Sequence, residues 1–526
     1  MRRTVRHMKL EALAVVGLMA VAQFSSASPM RFVRPSVTPE PVKVEWKAAT
    51  ACMLDGRSSV RVVADAPSSA DWVRTHLKSF LRVEPSVTFA HGGADLAEGA
   101  YRLSACGASF TLEAKGLSGV RHAFYTLRAC LMAERGRLTT RSWTCPALEI
   151  EDAPAHAFRC LHLCWMPETS AWTMERLVRT AAYLKFSHVI VEFWGNYDSA
   201  AYPWFGWEKA VRVPTPELRR LVSVGRDLGV TLVPALNTLG HAAMARHCGG
   251  KHATLDMHPE FASLFEPREG WVWCLTNPEV RTVQKTLIRE MYETFGRPGF
   301  FHIGCDESYP PSCPTCAATD WPTTVAGHVR FLRDEIASLG ARTLMWHDML
   351  ISRKDPRWAG EELRKYPING SSKESCERLL DLLPKDVVIG DWYYGAPLKD
   401  YPTWDYFMSK GFDVVACSWL NEAGTRAMGE KAAEKGIFGF MGTFWHHAYN
   451  PELYTVFLPS AEAAWGSVAR ALAIRASSGG YGEQAVSPPD FASVWRQAGW
   501  DMGGMDVKTR CGYSEDEIPR HTTTPW

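Results

Sequence analysis

Charge of one sign is missing from this chain. Its 526 residues carry 58 basic and 57 acidic side chains, a formal net charge of +1. A domain that grips nucleic acid needs a basic footprint, so that class of partner is excluded. A long apolar run is missing too. The N-terminal stretch "LEALAVVGLMAVAQF" is interrupted by Glu11 and is short for a bilayer span. Arg2, Arg3, Arg6 and Lys9 precede it, and Ser25-Ser26-Ala27 follow as small residues. This is the pattern of a secretory signal over residues 1–27, which predicts a secreted or periplasmic protein without membrane insertion after its removal. An uncleaved anchor is the alternative. No Cys stands at the cleavage site, so a lipoprotein is not suggested, and cleavage leaves a net charge of −2. There is no internal repeat, no low-complexity block and no phosphate-binding Gly loop. A second CxxC is also lacking. The single "SCPTC", with Cys313 and Cys316, fits half a zinc site, a local disulfide or two loop thiols.

What is present is ordinary for a globular chain, with 46% hydrophobic and 22% charged residues. Several of the 14 Cys (Cys160, Cys164, Cys305, Cys417) sit in apolar runs, where a buried free thiol is the usual state. Residues 28–42 are Pro-rich and read as a linker. From 43 to 150, "SVRVVADA" and "FTLEAKGL" alternate as strands do. "SGVRHAFYTLRACLMAE" has helical spacing through Val120, Phe124, Leu127 and Leu131. This predicts a small non-catalytic α/β domain.

From 151 to 476 the rhythm changes. The apolar runs "AFRCLHLCW", "FSHVIVEFW", "GVTLVPALN", "GFFHIGCDE", "ARTLMWHDM", "VVIGDWYYG", "DVVACSWLN" and "GFMGTFWHH" alternate with helical patterns. Near-continuous apolar strands suit a parallel sheet covered on both faces. One intervening helix has Asn277 as its cap, Pro278 in its first turn and Gly296 as its stop. Eight such units predict a (β/α)8 TIM barrel, preceded by the small α/β domain and followed by a 477–526 extension rich in Gly, Ser and Pro. Trp and polar groups recur where the strands end, the face on which such barrels carry their chemistry.

In "FHIGCDES", strand parity turns His302, Gly304 and Asp306 into the barrel and Phe301, Ile303 and Cys305 towards the helices. Glu307 falls on the helix side, where an unpaired charge is costly. It is expected just past the regular strand, where a bend aims it into the mouth beside Asp306. Carboxylates in a Trp-rich cleft favour sugar chemistry. Two adjacent ones suit a division of labour: one protonates the leaving oxygen, the other holds a substrate group that acts as nucleophile.

"FHIGCDES" resembles the His-x-Gly-x-Asp-Glu signature of glycoside hydrolase family 20, the β-N-acetylhexosaminidases. "GLSGVRHAFYTLRACL" with "IEDAPAHAFRCLHL", "TMERLVRTAAYLKFSHVIVEFW", "VPALNTLGHAAMA", "TLMWHDM" and "DWYYG" are similar to further segments of the family in order, closest to its compact bacterial branch. The resemblance implies a retaining exo-enzyme that releases terminal β-linked N-acetylhexosamine from a glycan without a cofactor or metal. Glu307 would be the general acid/base, and Asp306 would orient the 2-acetamido group. Trp346, Trp392 and Tyr393 or Tyr394 would wall its pocket, and Arg159 and Trp445 would grip the sugar. His241, His302, Asp348, Trp419 and Asn421 complete the expected contacts. The chain departs from the family after strand seven (Trp419-Leu420-Asn421 for Tyr-x-Asp) and after strand eight (Trp445-His446-His447 for Trp-x-Glu). "EFWGNY" likewise lacks the family's His-x-x-Asp. A glycosidase of altered sugar preference, a carbohydrate binder without catalysis and a metal hydrolase using His302 and His241 are the alternatives.

Overall fold

The computed structural model describes residues 37–133, 142–243, 251–267, 270–308, 310–445 and 453–477. The signal segment, most of the linker and the C-terminal extension lie outside the described residues. So do His446 and His447.

The N-terminal domain is a mixed sheet of β1 (Lys43–Leu54), β2 (Ser59–Ala64), β3 (Ser86–His91), β4 (Tyr101–Cys106), β5 (Ser109–Ala114), β6 (Met132–Ala133) and β7 (Trp143–Asp152). Their order is β1-β7-β4-β5-β2-β3, with β6 paired to β7. Helices Ser68–His76 and Leu117–Cys130 pack on it. The helix expected from the Val120, Phe124, Leu127 spacing buries those three residues against the sheet.

The remaining eight strands close into a parallel barrel: β8 (Phe158–Trp165), β9 (His188–Phe193), β10 (Thr231–Ala235), β11 (Phe300–His302), β12 (Arg342–Trp346), β13 (Val388–Trp392), β14 (Asp413–Ser418) and β15 (Gly439–Phe444). Each lies in one of the eight apolar runs. Every residue of β8 and β15 is buried, as strands covered on both faces require. The helices between them start and stop where the sequence signals. Asn277 accepts the Glu279 N–H at the head of Pro278–Thr294. Gly229, Gly296 and Gly340 end their helices with positive φ.

The two domains share a polar knot at the N-terminal end of the barrel. Lys185 Nζ reaches Asp152 Oδ2 at 3.2 Å and the Tyr101 hydroxyl at 3.0 Å, while Trp465 Nε1 donates to Asp152 Oδ1 at 3.0 Å. Trp72 and Tyr125 of the small domain donate to the barrel carbonyls of Asp227 and Leu228.

Candidate active site

β11 is only three residues long, and this shortness builds the site. After His302 the chain takes positive φ at Gly304 (67°), Cys305 (71°) and Glu307 (46°). A non-Gly residue in that region is uncommon and needs support from its surroundings. The bend does what parity demanded: it turns Glu307 back towards the face that carries Asp306. Phe301, Ile303 and Cys305 join the core beneath the helices, while His302 packs inside the barrel on Trp346, with ring centroids 4.4 Å apart.

Two contacts hold the bend. A Cβ on Gly304 would come within 2.5 Å of Asn237 Oδ1. One on Gly240 would meet the Asp306 carbonyl oxygen at 2.1 Å, so only glycine lets the loop after β10 press on the carboxylate segment. Asp348 Oδ2 accepts the Glu307 N–H at 2.9 Å and the Asn369 amide at 2.9 Å, and Trp271 Nε1 donates to the Glu307 carbonyl at 2.7 Å.

His241 joins the two carboxylates. Its Nε2 lies 3.3 Å from Asp306 Oδ2 and 3.2 Å from Glu307 Oε2. Burial and Lys251 oppose its protonation, but Asp306 and Glu307 outweigh them and push its pKa up to about 9. The ring is therefore an imidazolium at neutral pH. Burial works against the charge on Asp306. Lys251, 3.9 Å away, and His241 reverse this and hold its pKa down at about 2. Asp306 Oδ1 is buried with no hydrogen-bond partner among the described residues. Asp348 goes the other way: burial first, then the Asp306 charge, pushes it up to about 7. Burial lowers His302 to about 3, and its Nδ1 accepts the Gly304 N–H.

The pocket above this pair encloses about 600 Å³ including its open mouth. It is lined by Trp194, His241, Lys251, Asp306, Glu307, Trp392, Tyr394, Trp419 and Trp445. Tyr394 stacks on Trp392 with ring centroids 4.9 Å apart, and its hydroxyl accepts the Trp445 Nε1–H at 2.9 Å. Apolar walls with a few convergent polar groups are the usual form of a small-ligand site.

The structure therefore brings together Asp306, Glu307, His241, Trp392, Tyr394, Trp419 and Trp445. His302, Trp346 and Asp348 are fully buried next to the site and do not line it. Those three are corrections to the expected contacts, Trp346 as a pocket wall among them, and three more follow. Arg159 sits at the far end of β8, where its guanidinium donates to the Lys185 and His156 carbonyls and stacks over Trp465, so it belongs to the domain junction. Tyr393 points to the helices and stacks on Tyr366. Asn421 caps helix Glu422–Lys435, accepting the Gly424 N–H at 2.8 Å.

Two charged groups stand at the site outside the expected sugar contacts, Glu192 read only as a strand-end group and Lys251 not read at all. Lys251 is buried, pairs with Glu192 at 3.0 Å and lies over the Trp445 ring at 4.5 Å. Glu192, on the inner face of β9, also takes His162 at 2.9 Å and Asn237 at 2.5 Å. Burial opposes its ionisation, and Lys251 and His162 still hold its pKa well below the usual carboxylate range. A carboxylate inside the apolar run "HVIVEF" was the available signal for Glu192. Nothing in the loop sequence marked Lys251.

Comparison with known proteins agrees with this architecture. Residues 34–153 match the family model described as "Glycosyl hydrolase family 20, domain 2". The whole fold is similar to an exo-β-N-acetylglucosaminidase of that family from Vibrio harveyi, solved with N-acetylglucosamine. The match has a TM-score of 0.61 at 18% identity, covering 89% of this chain and 77% of that one. It is also similar to the Streptomyces plicatus N-acetyl-β-hexosaminidase (TM-score 0.60, 15% identity, 90% and 98% covered). A third similar structure is the Bacteroides fragilis β-N-acetylhexosaminidase (0.58, 17%, 82% and 90%). A search of curated proteins returns no match. Residues 34–153 thus match a family 20 domain, and the chain as a whole shares the fold of these solved enzymes.

Proposed function

We propose that the protein is a retaining exo-β-N-acetylhexosaminidase that hydrolyses terminal β-linked N-acetylhexosamine through the substrate's own acetamido group. One observation carries the reading. Adjacent carboxylates that start on opposite faces are turned onto one imidazolium at the base of a Trp-lined pocket. The two differ as the chemistry needs. Asp306 is buried, ionised and has an oxygen without a hydrogen-bond partner among the described residues, suited to hold the acetamido N–H and to stabilise the positive oxazolinium ring that forms when the acetamido oxygen attacks the anomeric carbon. Glu307 is a quarter exposed (26%), on the pocket side, suited to pass a proton to the departing oxygen and then to take one from water. The N-terminal signal pattern supports action outside the cytoplasm.

Pre-steady-state release from aryl β-N-acetylglucosaminides of graded leaving-group acidity tests the assignment. Glu307→Gln is expected to lose roughly 10²–10⁴-fold on poor leaving groups and far less on the most acidic ones. Asp306→Asn is expected to be slow whatever the leaving group. Plain β-glucosides turning over as fast as the N-acetyl compounds would overturn the mechanism.

A further inference from the structure

Outside the pocket, three thiols and a carboxylate converge. Glu266, Cys274, Cys313 and Cys316 each offer a ligand atom, all within 4.8 Å of one another. Cys274 Sγ lies 3.8 Å from Cys313 Sγ and 3.7 Å from Cys316 Sγ. We propose that these four side chains bind one zinc ion, which staples the loop after β10 to the loop after β11.

Spacing distinguishes this reading from a disulfide. Sulfurs around a tetrahedral zinc with bonds of about 2.3 Å stand about 3.8 Å apart, whereas a disulfide brings them to about 2.05 Å. Number also matters: pairing any two of three mutually adjacent thiols strands the third, while a metal uses all of them. The fourth donor is prepared. Glu266 is 3% exposed; its Oε2 accepts the Ser312 and Cys313 N–H groups at 2.7 Å each, and its Oε1 is buried without a hydrogen-bond partner among the described residues. The groups around the sulfurs are those that orient thiolates: the Cys316 N–H donates to Cys313 Sγ at 3.2 Å, and Thr276 Oγ1 lies 3.1 Å from Cys316 Sγ.

Glu266 and Cys274 are held side by side by the antiparallel bridge Phe265–Trp273. Cys313 and Cys316 sit at the head of the short helix Pro314–Ala317, a few residues beyond Glu307. Binding releases three thiol protons to solvent and changes no oxidation state. The metal is structural: it fixes the segment from which Trp271 reaches the Glu307 carbonyl and packs against His241 in a tilted ring contact, with centroids 4.3 Å apart. Zinc ligation also protects the thiols from oxidation if the chain is exported.

The test uses the full chain, purified without chelator. We expect about one zinc per chain by elemental analysis, and a melting temperature that drops on chelation and recovers with added zinc. Cobalt(II) added to the stripped protein should give thiolate-to-metal charge-transfer absorption and tetrahedral visible bands. Cys313→Ser, at the most accessible ligand, should weaken these bands and lose zinc. Three results overturn the site: a metal-free chain whose melting ignores zinc, a disulfide between any two of these cysteines in the exported protein, or zinc kept by Cys313→Ser and Cys274→Ser but lost in His162→Gln, a variant of the other described cluster with metal-ligand spacing, His162, Cys164 and Glu192. Should the serine variants fail to fold, the cobalt spectrum of the unaltered protein decides, since a spectrum without thiolate bands excludes these ligands.

Discussion

His241 and Asp348 touch the same short segment, and both bind their protons more tightly folded than unfolded. Asp348 is ordinarily ionised above 3.8 and is pushed up to about 7, so folded-state stability falls as pH rises between those values. His241 moves from 6.5 to about 9; its contribution is complete below 6.5 and is lost as pH rises through 9. Asp306 has the opposite sign, and its contribution is lost only as pH falls from 3.8 through about 2. The wild-type urea midpoint is therefore expected to decline in two stages between pH 4 and 9. The His241 stage is worth up to about 3 kcal/mol. Asp348→Asn should flatten the first stage and His241→Gln the second, whatever each does to the absolute midpoint. Parallel curves for wild type and both variants would show that neither group is the source.

At the scale of elements, the bend after β11 depends on a neighbour from another strand. Gly240→Ala places a methyl at 2.1 Å from the Asp306 carbonyl, so that loop or carboxylate segment must move. Such overpacking costs about 1–3 kcal/mol. The expected variant keeps its far-UV circular dichroism and melts a few degrees lower. Its kcat should fall at least about tenfold, because a displacement of an ångström at reacting groups is that expensive. Unchanged kcat with the expected loss of stability would mean that the pair tolerates the shift. The eight strands were legible because burial on both faces writes continuous apolar runs, and Asp306 and Glu307 because they interrupt one. Lys251 and Cys274 were not, because a loop residue's partners are set by three-dimensional approach. Arg159 was expected in the pocket from the family resemblance alone, and its place near the start of β8 puts it at the opposite end of the barrel. Asn421 was a strand-end polar group, and local helix capping claimed it.

At the scale of the whole molecule, the two domains are held by groups that neither could bury alone. Lys185 and Asp152 are almost completely shielded from solvent, and burial lowers the Lys185 pKa despite its partner. Asp152 also receives Tyr101, Trp465 and the Val42 N–H, so one carboxylate satisfies donors from both domains. Removing it leaves a buried ammonium uncompensated, which costs about 3–5 kcal/mol, whereas replacing both charges by apolar groups of similar volume is often close to neutral. Asp152→Ala is therefore expected to lower the midpoint severely and to split one unfolding transition into two, as the small domain loses its hold on the barrel. Lys185→Met in the Asp152→Leu background should recover much of the loss. This knot lies at the barrel end opposite the pocket, so kcat per folded molecule should be unchanged in every variant. Calorimetry together with active-site titration separates the effects. A single transition in Asp152→Ala, or a kcat that falls with the midpoint, would show that the junction does more than join the domains.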